Sequence, residues 1–442
     1  MSFLLLLCFT GALLSAGAEE RVLHGKTQMP PENTVRSLTK YELERNSMPD
    51  VDERRDTGLN KLFLFERSPL GNRTAVILMP GRVQEFQRFS WWKKCYRQFH
   101  DDPDFNRRYK LYVFVYHSRQ PLPILAQAFR EEMRRYFSPT DKTILVTYSL
   151  GGMIAKEGMT EPDIMDRVAT NFGLAVPYHG SPIFDTEWFT KFMRPPNRSP
   201  IRRVWDRLLY RAYLFNNPNL TRDLGWDNFD GSQPQFDLSK TRLMGDQLVH
   251  ESLLTHDWAT DDPAFVQAFH KKTIFYGSYL ENAYTQSNQP LHPFRIPKYL
   301  LDTTATLPKQ LVGSFLPFYG FTVHAVMHFS NYQLSNLATF TPHNPRGENN
   351  HMYRFNDGAI PLSSMLYLPP APEPYSGDLD SLVQASSGKL VRIFINADHT
   401  DIGHYNLRKS KLITRDVLHP RDGQRTPIEW ILFDLKTLPE PK

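Results

Sequence analysis

The apolar positions of the chain gather in short dense runs separated by polar turns and by stretches of helical period. Thr74-Ala75-Val76-Ile77-Leu78-Met79, Tyr109 to Tyr116 and Thr143-Ile144-Leu145-Val146-Thr147 are almost continuously apolar or β-branched. Runs of that length and composition predict strands covered on both faces, as in the middle of a parallel sheet. Lys61 to Phe65, Ala169 to Val176, Lys272 to Tyr279 and Lys389 to Asn396 extend the series. Between them, Leu125 to Phe137 puts Leu125, Ala128, Phe129, Met133 and Tyr136 on one side of a helix. Gly152 to Met159 predicts a second helix, and Pro427 to Leu435 a closing one. Strands alternating with helices imply an α/β fold with a doubly wound, mainly parallel sheet, whose ligand sites lie at the carboxyl ends of the strands.

Two stretches interrupt the alternation, at about residues 184–240 and 281–355. The first carries Trp188, Phe189, Phe192, Trp205, Tyr210 and Tyr213; the second carries Leu311 to Phe321. Both follow strand ends on the side where a ligand would sit, so they are read as cap or lid insertions in a domain spanning 58–442. Residues 19–57 are polar and contain Pro, which predicts a leader lying over the surface. The first eighteen residues carry no charged side chain. An apolar core from Phe3 to Leu14, then Ala16-Gly17-Ala18 before Glu19-Glu20, reads as a secretory signal cleaved after Ala18. The expectation is a secreted or periplasmic protein.

Composition narrows the partners. Lys and Arg number 52 against 47 Asp and Glu, a net charge of +5 with the signs interspersed. That is no footprint for nucleic acid, while weak attraction to an anionic lipid surface remains allowed. Of the two cysteines, Cys8 lies in the signal and only Cys95 survives cleavage, so no intrachain disulfide can form.

The chemistry starts at Thr147-Tyr148-Ser149-Leu150-Gly151-Gly152, where a β-branched run stops at a serine and helix-forming residues follow. A strand–turn–helix corner that exposes a serine needs small residues two places before and two after it, usually as G-x-S-x-G. Here Thr147 stands for the first Gly. A serine hydroxyl needs a base within reach, a carboxylate to orient the base, and donors for a developing oxyanion. In chain order the acid should follow the serine and the histidine should come last. Asp357, in the turn Asn356-Asp357-Gly358, is read as the acid, with Glu281 directly after a strand as its competitor. His399, in Asp398-His399-Thr400-Asp401 at the end of the last predicted strand, is read as the base and preferred to His404 because it is nearer the strand end. The amide of Leu150 and one from Arg82 or Val83, in the loop Met79-Pro80-Gly81-Arg82-Val83, would form the oxyanion hole.

Taken together, TYSLGG, Val176 to Pro182, Asn356-Asp357-Gly358 with Pro361-Leu362-Ser363-Ser364, and Asp398 to Asp401 resemble the α/β-hydrolase lipases. The nearest likeness is to secreted bacterial triacylglycerol lipases and their acyltransferase and deacylase relatives, over about Thr74 to Ile402. The resemblance implies an ester or lipid substrate, contact with a lipid interface, Asp357 as the triad acid, His399 as its base, and no organic cofactor. It also implies that Asp401 could bind calcium, although calcium takes six to eight oxygens. His179 sits one place from the family's histidine and is read as structural. Acyl transfer to an alcohol, or a catalytically inactive binding module, are the alternative uses of such a fold; a serine, acid and histidine in the required order favour the enzyme.

Overall fold

The computed structural model describes residues 36–37, 60–64, 70–81, 98–118, 120–181, 223–224, 262–282, 285, 327–328, 330–331, 334–335, 354–368, 378–404, 412–415 and 425–438. The first eighteen residues, most of the leader and most of both insertions lie outside these. Among the described residues nine strands form one sheet: β1 Arg36–Ser37, β2 Lys61–Leu64, β3 Thr74–Met79, β4 Tyr109–Val115, β5 Thr143–Tyr148, β6 Val168–Leu174, β7 Thr273–Tyr279, β8 Leu390–Ile395 and β9 Leu412–Arg415, in the order β1-β2-β4-β3-β5-β6-β7-β8-β9. The six strands from β3 to β8 are mutually parallel. β2 runs antiparallel to β4, and β9 antiparallel to β8.

The dense apolar runs are the central strands for the reason their composition gave. Val76 pairs with Leu111 and Ile144, and Leu78 with Val113 and Val146; all of these side chains are buried. Helices cover both faces: α1 Pro103–Arg108, α2 Leu122–Tyr136, α3 Leu150–Gly158, α4 Pro162–Arg167, α5 Pro263–Lys272, α6 Leu362–Met365, α7 Leu379–Ala385, α8 His399–His404 and α9 Pro427–Thr437. On α2, Leu122, Leu125, Ala126, Phe129 and Met133 are buried at the spacing of one helical stripe. Full burial of a side chain such as Phe129 contributes about 1.5–3 kcal/mol. α9 opens on a capping box in which Thr426 and Glu429 satisfy each other's backbone amides. Asp434 on the same helix accepts from Arg392 Nη2 at 2.7 Å and from the Tyr276 hydroxyl, tying α9 to β8 and β7 across the core.

Three sequence expectations are corrected. The leader is not wholly outside the sheet, since Arg36–Ser37 pairs in parallel with β2. β8 is not the last strand, because Leu412–Arg415 adds an antiparallel edge beside it. And α2 begins at Leu122 rather than Leu125: Pro121 offers no side-chain cap, but the Asp223 carboxylate, arriving from the first insertion, accepts from the Leu122 amide at 2.8 Å.

The strand order also fixes where a site can form. From β3 the chain moves to β4 on one side, then crosses to β5 on the other and continues outward to β8. The direction of winding therefore reverses between β3 and β5. A crevice opens at such a switch point, outside the carboxyl ends of the two strands. Met79 and Tyr148 end those strands, and the residues following them are Pro80-Gly81 and Ser149.

Candidate active site

Ser149 occupies the corner between β5 and α3 with φ 49° and ψ −122°. A non-glycine residue held in that region is strained and persists only where its surroundings dictate it. The surroundings do so closely. A Cβ on Gly151 would lie 2.3 Å from the Met79 carbonyl oxygen, and one on Gly152 2.1 Å from Val176 Cγ2. The helix thus approaches β3 and the β6 exit closer than any side chain would permit. The Ser149 amide donates to the Leu174 carbonyl at 3.0 Å, and the Ser149 carbonyl accepts from Gly152 at 2.9 Å. Thr147, the departure from the glycine pattern, turns its side chain toward β6. Its hydroxyl donates to the Phe172 carbonyl at 3.0 Å, with Asn171 Oδ1 at 3.3 Å, so the larger residue is buried and satisfied.

Asp357 is fully buried in its turn, where Oδ1 accepts from the amides of Ala359 at 2.9 Å and Ile360 at 2.7 Å. Gly358 carries φ +89°, and a Cβ there would meet the Met327 carbonyl oxygen at 2.3 Å, so glycine is required twice over. Asp357 Oδ2 accepts from His399 Nδ1 at 2.8 Å, and His399 Nε2 lies 3.1 Å from Ser149 Oγ. A second bond, from the His399 amide to the Asp357 carbonyl at 3.0 Å, joins the two loops through their backbones. With Nδ1–H given to the carboxylate, Nε2 is the acceptor facing the hydroxyl. A hydroxyl placed against an imidazole whose other nitrogen is held by a buried carboxylate can lose its proton to that imidazole as it attacks an electrophile.

This is the α/β-hydrolase arrangement. The sheet is mainly parallel, the serine stands on a strained strand-to-helix corner at the switch point, and acid and histidine follow it in that order. No protein-family model and no curated protein matches the chain. Among solved structures it is similar to the mature form of Bacillus licheniformis lipase BlEst2, at 14% identity and TM-score 0.36 over 79% of this chain and 95% of that one. It is similar as well to the metagenomic carboxyl esterase MGS0156, at 13% identity and TM-score 0.33 over 94% and 96%. Aspergillus fumigatus lipase B matches at 14% identity and TM-score 0.22 over 37% of this chain and 36% of its own.

The remaining candidates divide plainly. Glu281, the competing acid, is exposed; its amide donates to Asn396 Oδ1 and its Oε2 accepts from Asn396 Nδ2 at 2.7 Å, whereas the imidazole is met by Asp357. His404 closes α8, and its side chain is outside the described residues. Leu150 is the first residue of α3, so its amide belongs to the helix N-terminus, where N–H groups lack intrahelical partners and carry partial positive charge. Arg82 and Val83 lie outside the described residues. Gly81 just before them sits against the serine, since a Cβ on it would be 3.1 Å from Ser149 Cβ. His179 is fully buried and its Nε2 bonds the Leu368 carbonyl at 2.9 Å.

Asp401, the residue expected to be able to bind calcium, stands in the first turn of α8. Asp401 Oδ2 accepts from the Asp398 amide, while Asp398 Oδ1 accepts from the amides of Thr400 and Asp401, a reciprocal cap for α8. Among the described residues, no group of three or more His, Cys, Asp and Glu could hold a metal ion.

One residue that sequence reasoning passed over is Tyr148. Its hydroxyl donates to the His399 carbonyl at 2.8 Å, and its ring stacks on the imidazole with centroids 5.3 Å apart. A Cβ on Gly81 would strike the same ring at 2.7 Å. Tyr148 therefore packs against the β3 loop, the serine's own turn and the histidine at once. Burial, reinforced by the Asp357, Asp398 and Asp401 carboxylates, raises its phenol well above the usual range, which keeps the hydroxyl a donor. Only its place beside the serine marked it in the sequence.

Proposed function

We propose that the chain is a serine hydrolase that cleaves carboxylic esters, with lipid or long-chain acyl esters as its substrates. Ser149 Oγ attacks the ester carbonyl as its proton passes to His399 Nε2, and Asp357 holds the imidazole and the positive charge it gains. The oxyanion of the tetrahedral adduct is received by the Leu150 amide together with that of Arg82 or Val83. Collapse expels the alcohol, which takes the proton from His399 and leaves Ser149 acylated. Water, deprotonated by His399, then releases the acid. The observation that carries this reading is the hydrogen-bonded series from the buried Asp357 through the partly buried His399 to Ser149. The preference for lipid esters rests on the resemblance in the motifs and on the apolar insertions, and export rests on the first eighteen residues.

The test is turnover of a p-nitrophenyl ester series of increasing acyl length, with fluorophosphonate labelling followed by peptide mapping. Label is expected on Ser149, and Ser149→Ala is expected to lower kcat by roughly a millionfold, as losing the nucleophile of such a triad does. Undiminished turnover by Ser149→Ala, or label on another residue, refutes the assignment.

A further inference from the structure

The acid turn is held from outside as well as by its own bonds. Behind it lies a buried set of polar side chains from the second insertion: Asn282, at its start just past β7, and Asn331 with Ser335, further along it. All three side chains are nearly or wholly inaccessible, as is Asn356, the residue before the acid. Asn331 Nδ2 stands 2.8 Å from the Asn356 carbonyl oxygen and 3.1 Å from Asn356 Oδ1. Its own Oδ1 accepts from Asn282 Nδ2 at 2.7 Å, which fixes which way the carboxamide points. Asn282 Nδ2 also reaches Ser335 Oγ, and Ser335 Oγ donates to the Arg354 carbonyl at 2.7 Å, on the chain leading into the turn. On the far side, Asn356 Oδ1 accepts from the Gly358 amide at 2.9 Å. Both arms of the acid turn are therefore gripped through Asn356.

A second contact from the same inserted segment acts on the residue after the acid, where the Met327 carbonyl closes on Gly358. Asp357 lies between Asn356 and Gly358, so both of its neighbours are pinned by residues 327–335. A buried amide that loses its partner costs far more than one that never had to be paired, so such a network tolerates a single arrangement.

We propose that Asn331 is a positioning residue, which sets the Asp357 carboxylate against His399 by holding Asn356. The proposal rests on the reading of Asp357 as the acid. It makes the second insertion part of the catalytic geometry rather than a cover laid over it.

The test uses the full-length protein. Asn331→Ala is expected to lower kcat by roughly 10- to 100-fold with KM within about twofold, the cost of a carboxylate displaced by a fraction of an ångström or more. In an Asp357→Asn background the same substitution should cost nothing further, since residues acting through one another are not additive. The far-downfield proton resonance of His399 Nδ1–H, given by the bond to Asp357, should shift or broaden in Asn331→Ala; Asp357→Asn, which abolishes it, is the control. If Asn331→Ala does not fold, Asn331→Ser, which keeps one donor but shortens its reach, takes its place. Wild-type kcat and an unmoved resonance in the folded variant overturn the proposal, as does an equal loss in both backgrounds. Full turnover by Asp357→Asn alone refutes the acid assignment, and the resonance then still decides whether Asn331 positions that side chain.

Discussion

Gly151→Ala puts the elbow to a quantitative trial. The added methyl would lie 2.3 Å from the Met79 carbonyl oxygen and 2.6 Å from that of Pro80, where ordinary contact begins at about 3.4 Å. Both obstacles are backbone, Met79 paired with Thr147 in the β3–β5 ladder and the Pro80 carbonyl accepting from the Tyr116 hydroxyl, so no side chain can rotate aside. Either α3 or the end of β3 must retreat by about 1 Å. A shift of that size in a reacting group costs on the order of 100-fold in rate, and overpacking costs about 1–3 kcal/mol of stability. The retreat moves Ser149 and Leu150 away from Pro80-Gly81, so both the nucleophile and the oxyanion donors lose their alignment. The assay is kcat on a short-chain p-nitrophenyl ester, paired with the rate of fluorophosphonate labelling and a urea melt. Gly71→Ala is the control. Unlike Gly151, Gly71 has a positive φ, and it has nothing within 4 Å of the added methyl, so it should lose about 1–2 kcal/mol for its left-handed backbone and no activity. If Gly151→Ala turns over at the wild-type rate with unchanged stability, the close approach of α3 to β3 is not what sets the serine.

Two further outcomes follow from the geometry. Tyr148→Phe keeps the ring over the imidazole and removes the bond to the His399 carbonyl, so it should cost about 1 kcal/mol of stability and less than about tenfold in kcat; Tyr148→Ala should cost clearly more in kcat, and an equal loss would show that the ring contributes nothing. The His270 imidazole is pushed down to about 2 by burial, aided by Lys389 and other nearby basic groups, against an ordinary value of 6.5. The unfolded chain then binds a proton that the folded chain refuses, so this residue's contribution is intact above about pH 6.5 and stability drains as pH falls below it, by up to about 1.4 kcal/mol per pH unit. Urea melts at about pH 7 and about pH 5 should show a smaller drop for His270→Phe than for the wild type; equal drops would remove His270 as a source of acid sensitivity.

The parts of this molecule that could be read from the sequence are those in which local composition and environment coincide. β3, β4 and β5 are buried on both faces, so their apolar runs declared them. The serine turn and the Asn356-Asp357-Gly358 turn have chemistry that few other contexts require. What escaped was decided by distant partners. β9 is a strand because β8 offers it a register, and Arg36–Ser37 because β2 does. The start of α2 depends on Asp223, about a hundred residues away in the chain. Asn331 gave no signal at all, being one asparagine among many until the fold brings it against Asn356. Asp398 and Asp401 carried a signal for a helix start, the spacing of two carboxylates that accept from each other's backbone amides.

The bond between His399 and Ser149 joins residues 250 apart in sequence, and the other ring nitrogen is held by an acid turn that is itself supported by an insertion. Contacts of such long range close late, after the loop entropy of the intervening chain has been overcome. The serine corner can form early, from β3, β5, α3 and β6, yet it has no base until β8 has docked and α8 has turned. Partly folded chains should therefore be chemically silent, and in refolding the return of fluorophosphonate reactivity should trail the return of helix and sheet signal. Reactivity would then report on the completion of folding itself.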